Sequence, residues 1–171
     1  MKQMYTSAET SINSTRLPVL IKKGLKMGLF DGKSVLDYGC GKYTDHIAAA
    51  MLEKASAYHP YDPYNQSDVT NTYSLIEQGN ACMMSTNTAV ICSNVLNVIA
   101  EDDIIIEIIR DGLKLGRYMY ITVYTGNGSG VGRPTKKGCY QRNAKLSAYA
   151  ALAEKAGARV CWQKSGILCL E

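Results

Sequence analysis

The sequence predicts a doubly wound α/β domain: a mostly parallel sheet of about seven strands, helices on both faces, and an antiparallel hairpin at the C-terminal edge. Three observations lead there. β-Branched apolar runs alternate with helical stretches, the pattern in which crossover helices join parallel strands. One strand ends in a glycine pair that opens directly into a helix, Val35-Leu-Asp-Tyr-Gly-Cys-Gly41. The chain closes with two short runs, 159–162 and 166–170, joined by a tight turn suited to a hairpin.

In chain order, Ser14 or Thr15 can cap a first helix with Pro18 in its opening turn, and Leu17, Leu20, Ile21 and Leu25 recur at helical spacing. The other face of that helix carries Lys22, Lys23 and Lys26, so residues 1–30 read as a helical N-terminal extension. Glycines between 28 and 32 break it. Residues 33–38 form a short buried strand, and 44–54 a second helix. Residues 55–61 are the second strand, closed by Asp62-Pro63 because proline removes a backbone donor. The pattern is least readable over 64–88, where a helix near 72–78 and a strand near 81–84 are expected. Residues 89–93 form a strand and 101–115 a helix with Asp102 and Asp103 at its positive end and isoleucines on its inner face. Residues 117–124 alternate and form a strand; a loop over 125–143, a helix over 144–156 and the terminal pair follow. With no internal repeat, residues 1–171 are expected to be one domain.

Hydrophobic residues make up 46% and charged residues 20% of the chain, the profile of a self-folding globular domain. Residues 1–15 are polar and no apolar run approaches the roughly 20 residues that span a bilayer, so a cytoplasmic protein without a membrane partner is expected. The 6 cysteines, Cys40, Cys82, Cys92, Cys139, Cys161 and Cys169, show no Cys-x-x-Cys or Cys/His ligand spacing; they read as reduced core thiols, with no metal site. His46 and His59 lack a ligand-spaced partner and read as structural or surface residues. The net charge of +4 falls short of a dedicated nucleic-acid binder.

The chemistry concentrates at the glycine turn. A glycine lacks the Cβ that keeps a ligand off the backbone, and the helix after it presents unpaired N–H groups. A glycine pair alone is also what a tight strand-to-helix turn needs sterically. Here the acidic Asp37 precedes it, and Asp62 closes the next strand, where an acidic residue accepts hydrogen bonds from a ribose diol. Thr44 stands where a dinucleotide fingerprint places its third glycine, which disfavours a nicotinamide oxidoreductase.

Asp37 to Gly41 resembles motif I of class I S-adenosylmethionine-dependent methyltransferases, Asp/Glu-x-Gly-x-Gly-x-Gly, with Tyr43 in place of the third glycine. That resemblance implies the Rossmann-like methyltransferase fold with S-adenosylmethionine as cofactor. Asp37, Tyr38, Gly39, Cys40 and Gly41 would line its methionine and ribose side, Asp62 and Pro63 its ribose, and Ser93 and Asn94 the opening toward substrate. The order of Thr10-Ser-Ile-Asn13, Asp37 to Gly41, Asp62-Pro63, Val95-Leu-Asn-Val-Ile99 and Thr135-Lys-Lys-Gly-Cys-Tyr-Gln141 is similar to that in methyltransferases associated with DNA phosphorothioation systems. Asp62-Pro63-Tyr64 is not the Asp-Pro-Pro-Tyr motif of base amino-methyltransferases, because it follows the second strand and not the fourth.

Residues 125–143 read either as a substrate lid, with a glycine-rich hinge over 126–132 and a basic, aromatic tip over 133–142, or as a solvated surface loop. Lys22, Lys23, Lys26, Lys136 and Lys137, joined by Arg133, Arg142 and Lys145, would bind DNA or RNA if they form one surface, and are otherwise ordinary solvated lysines and arginines. The expected activity is methyl transfer, with Asn94, Asn97, Tyr124, Tyr140 and Gln141 near an acceptor whose identity stays open. The alternative is a catalytically silent cofactor-binding or nucleic-acid-associated module of the same fold.

Overall fold

The computed structural model describes residues 16–41, 43–62, 87–135 and 139–171. The first helix, α1 (Val19–Lys26), starts one residue after Pro18, whose carbonyl accepts from Lys22 N at 3.0 Å. Strand β1 (Ser34–Tyr38) runs into α2 (Asp45–Met51), and β2 (Ala57–Tyr61) follows. Strand β3 (Thr88–Ser93) leads through a 3-10 turn (Leu96–Val98) to α3 (Asp102–Leu115) and β4 (Tyr118–Thr122). The short strands β5 (Arg133–Pro134) and β6 (Tyr140–Gln141), helix α4 (Leu146–Lys155) and the hairpin of β7 (Val160–Lys164) and β8 (Ile167–Leu170) complete the chain.

One sheet takes the order β2-β1-β3-β4-β8-β7. Its first four strands are parallel, with Leu36 opposite both His59 and Val90, and Ile91 opposite Tyr120; β8 returns antiparallel against β4 and β7 against β8. Among the described residues this sheet therefore has six strands, against about seven expected. The strand expected near 81–84, the helix near 72–78, and Ser14, Thr15 and Pro63 lie outside the described residues. Pro60 sits inside β2, where its missing donor is tolerable because β2 is an edge among the described strands.

The central strands β1, β3, β4 and β8 are buried on both faces, so their sequences run largely apolar instead of alternating with polar residues. Val35, Ala89, Ile91, Tyr120, Ile167 and Cys169 point to a core closed by Leu20 and Ile21 of α1 and Ile47 and Met51 of α2. Leu36, Val90, Cys92, Met119, Ile121, Leu168 and Leu170 point to the other, closed by Ile105 and Ile109 of α3 and Tyr149, Leu152 and Ala153 of α4. Truncating one of these isoleucines to alanine removes both transfer energy and packing, typically about 2–5 kcal/mol. Among the described residues no helix is long and apolar enough to cross a membrane.

The described residues of 125–143 are more regular than a structureless loop. Within them β5 pairs with β6, and Thr135 N donates to Cys139 O at 2.6 Å. Asn143 anchors the base: it is 1% exposed, takes φ +55°, donates its Nδ2 to Val131 O at 3.0 Å and accepts Gly130 N on its carbonyl at 2.9 Å. Arg142 joins this base to the start of α3, donating to Ile99 O at 3.3 Å and Ala100 O at 3.0 Å and pairing with Asp102. Two-residue strands interrupted by Pro134 and glycines carry no periodicity from which these anchors could be read.

Candidate functional site

The four parallel strands end on one rim, and the chain reverses its direction of travel across the sheet between β1 and β3. The β1 connection passes to α2 on one face and the β3 connection to α3 on the other, so the two loops part and leave a crevice at their carboxyl ends. Residues 39–41 lie on one side of it and 94–96 on the other.

The glycine turn is fastened to β2. Gly39 N and Cys40 N both donate to Tyr61 O, at 2.7 and 3.1 Å, and Gly41 N donates to Asp62 Oδ2 at 3.0 Å. Gly39 and Gly41 take φ of +86° and +74°, a region that side chains other than glycine enter at a cost. At Gly39 there is a second constraint, since a Cβ there would overlap the Val95 side chain from the far side of the crevice. The space beside its Cα on that side is filled by Val95. Tyr38 and Tyr61, opposite each other in register, pack their rings 4.9 Å apart at the ends of β1 and β2.

Asp37 lies beneath the turn, 2% exposed, and accepts the Tyr58 hydroxyl at 2.7 Å. Burial raises its pKa to about 7; the Tyr58 bond opposes that rise, and nearby Asp62 adds to it. Burial likewise pushes the Tyr58 phenol and the Cys40 thiol up, so Tyr58 keeps the proton it donates. Asp62 is 6% exposed. A carboxylate offers about four lone-pair sites, so its bond to Gly41 is compatible with further bonds to a ribose diol.

Across the crevice, Ser93 Oγ lies 3.3 Å from Thr122 Oγ1, and Asn94 N donates to Thr122 O at 2.9 Å. Asn94 is exposed at φ +58°, a conformation in which asparagine is among the tolerated residues. Asn97, 4% exposed, accepts Tyr124 N on Oδ1 and donates Nδ2 to Gln141 Oε1, each at 3.4 Å; Gln141 Nε2 donates to Tyr124 O at 3.0 Å. Arg142 N adds a bond to Asn97 O at 2.8 Å. These contacts bring together Asn97, Tyr124 and Gln141, but the two amides are occupied in holding backbone. Tyr124 itself stands 63% exposed on the rim. Tyr140 packs its ring over Gly132 within the β5–β6 hairpin, where a Cβ on Gly132 would collide with it.

Lys22, Lys23 and Lys26 are exposed on the α1 side of the sheet, with Lys23 Nζ donating to Ser165 O at 2.5 Å; Lys136, Lys137 and Pro63 lie outside the described residues. His59 meets Ser34 Oγ at 3.0 Å, and burial lowers its pKa. Among the described residues no group of three or more His, Cys, Asp or Glu side chains could hold a metal ion. Sequence reasoning missed Tyr58, Thr122 and Asn143, and named Val95 within its motif without its contact to Gly39. Tyr58 stands one pleat before Pro60 on the strand beside Asp37, the only trace of its role in the sequence pattern.

No family model and no curated protein matches this sequence. Among solved structures the fold is similar to the Burkholderia thailandensis 1,6-didemethyltoxoflavin-N1-methyltransferase with bound 1,6-didemethyltoxoflavin and S-adenosylhomocysteine. The TM-score is 0.62 and the identity 14%, over 95% of this chain and 80% of that one. The likeness establishes the Rossmann-like methyltransferase fold.

Two outcomes follow for the turn. Gly39→Ala should destabilise by about 1–3 kcal/mol, through strained backbone and the clash with Val95, and adding Val95→Ala should recover the steric part; strictly additive losses in urea melts would contradict the contact. Asp37 has a folded pKa above its unfolded value, so its contribution is full below about pH 4 and is lost as pH rises toward 7. Asp37→Asn should therefore gain melting temperature relative to wild type between pH 5 and pH 8, and a difference that is constant across that window would disprove the burial of an ionisable acid there.

Proposed function

We propose that this chain is an S-adenosylmethionine-dependent methyltransferase that binds its cofactor at the Asp37–Gly41 turn and acts on a small-molecule acceptor. The observation that carries the reading is where the turn's N–H groups go. A dinucleotide site directs such groups at a pyrophosphate. Here the N–H groups of Gly39, Cys40 and Gly41 are bonded to Tyr61 O and the Asp62 carboxylate, and Asp45 stands in the first turn of α2. With the Asp62 carboxylate beside it, the crevice is a poor host for phosphate and suits a ligand that brings a cation, an amine and a ribose diol. S-adenosylmethionine brings all three and no phosphate. The S-adenosylhomocysteine in the similar methyltransferase supports the same reading.

When bound, the cofactor supplies an electrophilic methyl group on a sulfonium. The chain's contribution is placement, which alone is worth several orders of magnitude in rate when two reactants are held in line. Asp62 would accept the ribose hydroxyls, and residues 39–41 would wrap the methionine side. Asn94 and Tyr124 stand at the rim where an acceptor would lie. Asn97 and Gln141 act through the Tyr124 backbone and are positioning residues.

The small-molecule acceptor is favoured because Arg142 and Lys23, two members of the basic set, are spent on Asp102 and Ser165. The similar methyltransferase is itself named for a small heterocycle. Membership of the phosphorothioation-associated group, with DNA held by Lys136 and Lys137, rests on motif order alone.

Calorimetry tests the site. S-adenosylmethionine should bind in the micromolar range, about −8 kcal/mol, and Asp62→Ala should cost about 1.5–3 kcal/mol through lost hydrogen bonds to a charged acceptor. Equal affinity in the variant would remove Asp62 from the site. Tight, salt-sensitive DNA binding by the wild type would overturn the small-molecule half of the reading.

A further inference from the structure

Far from the crevice, the C-terminal hairpin brings two cysteines together. Trp162 is the register partner of Cys169, and Val160 that of Leu170, which leaves Cys161 as the extra residue of a β-bulge on β7. In a regular strand consecutive side chains point to opposite faces. The bulge cancels that alternation, so that Cys161, Trp162 and Cys169 all pack on the α1–α2 side of the sheet. Cys161 is thus the immediate neighbour of the Cys169 register partner and shares its side of the sheet.

We propose that Cys161 and Cys169 form a reversible cross-strand disulfide under peroxide, which fastens the outer strand β7 to β8. The reading does not depend on which ligand the glycine turn takes. Cys161 is partly buried, unlike the enclosed Cys92, Cys139 and Cys169, and so is the thiol of the pair that an oxidant reaches first. Its Sγ–H donates to Glu171 Oε2 at 3.6 Å. Arg159 Nη2 holds the other oxygen of that carboxylate at 2.8 Å and keeps its pKa below the ordinary value, so Glu171 stays ionised and fixes the position of the Cys161 sulfur as its acceptor.

The chemistry balances in two steps. Cys161 sulfur attacks hydrogen peroxide, giving a sulfenic acid and one water. Cys169 sulfur then displaces the sulfenic hydroxyl, forming the S–S bond and a second water; peroxide is reduced and both sulfurs are oxidised. Burial raises the Cys169 thiol to about 12, while Lys33 lowers it, so Cys169 is the resolving thiol and not the first to react.

The test uses the full-length chain, reduced, desalted, exposed to a small excess of hydrogen peroxide, then alkylated in denaturant and digested with trypsin. Cleavage after Lys164 separates the two cysteines, so the expected product is a pair of peptides joined through Cys161 and Cys169, with the intact mass lower by two hydrogens and restored by dithiothreitol. Cys161→Ser should abolish the link while circular dichroism stays unchanged, and Cys40→Ser should leave the link intact. The proposal is overturned if both thiols remain alkylatable, if Cys161 advances to sulfinic acid beside a free Cys169, or if either cysteine links elsewhere.

Discussion

The last residue of β2 and the aspartate after it collect the N–H groups of Gly39, Cys40 and Gly41, and the remainder of the site is arranged around that junction. Buried N–H groups must be paired, so a tight turn between a strand and a helix needs acceptors close by. The parallel register that sets Tyr38 opposite Tyr61 delivers them. Once the turn is pinned to β2, its left-handed glycines are forced, Val95 can close over Gly39, and the crevice between β1 and β3 acquires a fixed wall. An N–H that is already bonded is a poor host for phosphate, and this is the physical basis of the ligand reading proposed above.

The second wall is built differently. The loop after β3 and the end of β4 share Thr122, whose carbonyl takes Asn94 N, and the Asn97–Gln141 pair then carries the chain across to Tyr124. Side-chain amides are suited to such bridging, since each offers donors and an acceptor in one plane and can join backbone segments that do not pair as strands. Arg142 and Asn143 continue the same scheme down to α3. The rim around Tyr124 thus rests on hydrogen bonds, whereas the sheet below it rests on apolar packing against the helices of both faces.

Much of the fold is legible in the sequence because it depends on local pattern. The helix read over 101–115 is found at Asp102–Leu115, and the terminal hairpin falls within a few residues of its predicted bounds. An uninterrupted apolar run such as Ala89-Val-Ile-Cys92 within Thr88–Ser93 announces a strand covered on both sides. The turn at Asp37–Gly41 is equally legible, since glycine at positive φ leaves a mark in composition. What holds that turn is not legible. The Tyr58–Asp37 bond, the Val95 contact with Gly39 and the anchoring of 125–143 by Asn143 join residues far apart in sequence, and each uses a residue type common in other settings. The bulge at Cys161 likewise depends on strand register, which no single strand's pattern contains.

A turn with internally satisfied N–H groups and flanking carboxylates should select a nucleoside carrying a sulfonium over one carrying pyrophosphate. Parallel titrations of the wild-type chain with S-adenosylmethionine and with NAD measure that selection directly. Saturable micromolar binding of S-adenosylmethionine is expected, with none of NAD over the same concentrations; NAD binding as tight or tighter would contradict it.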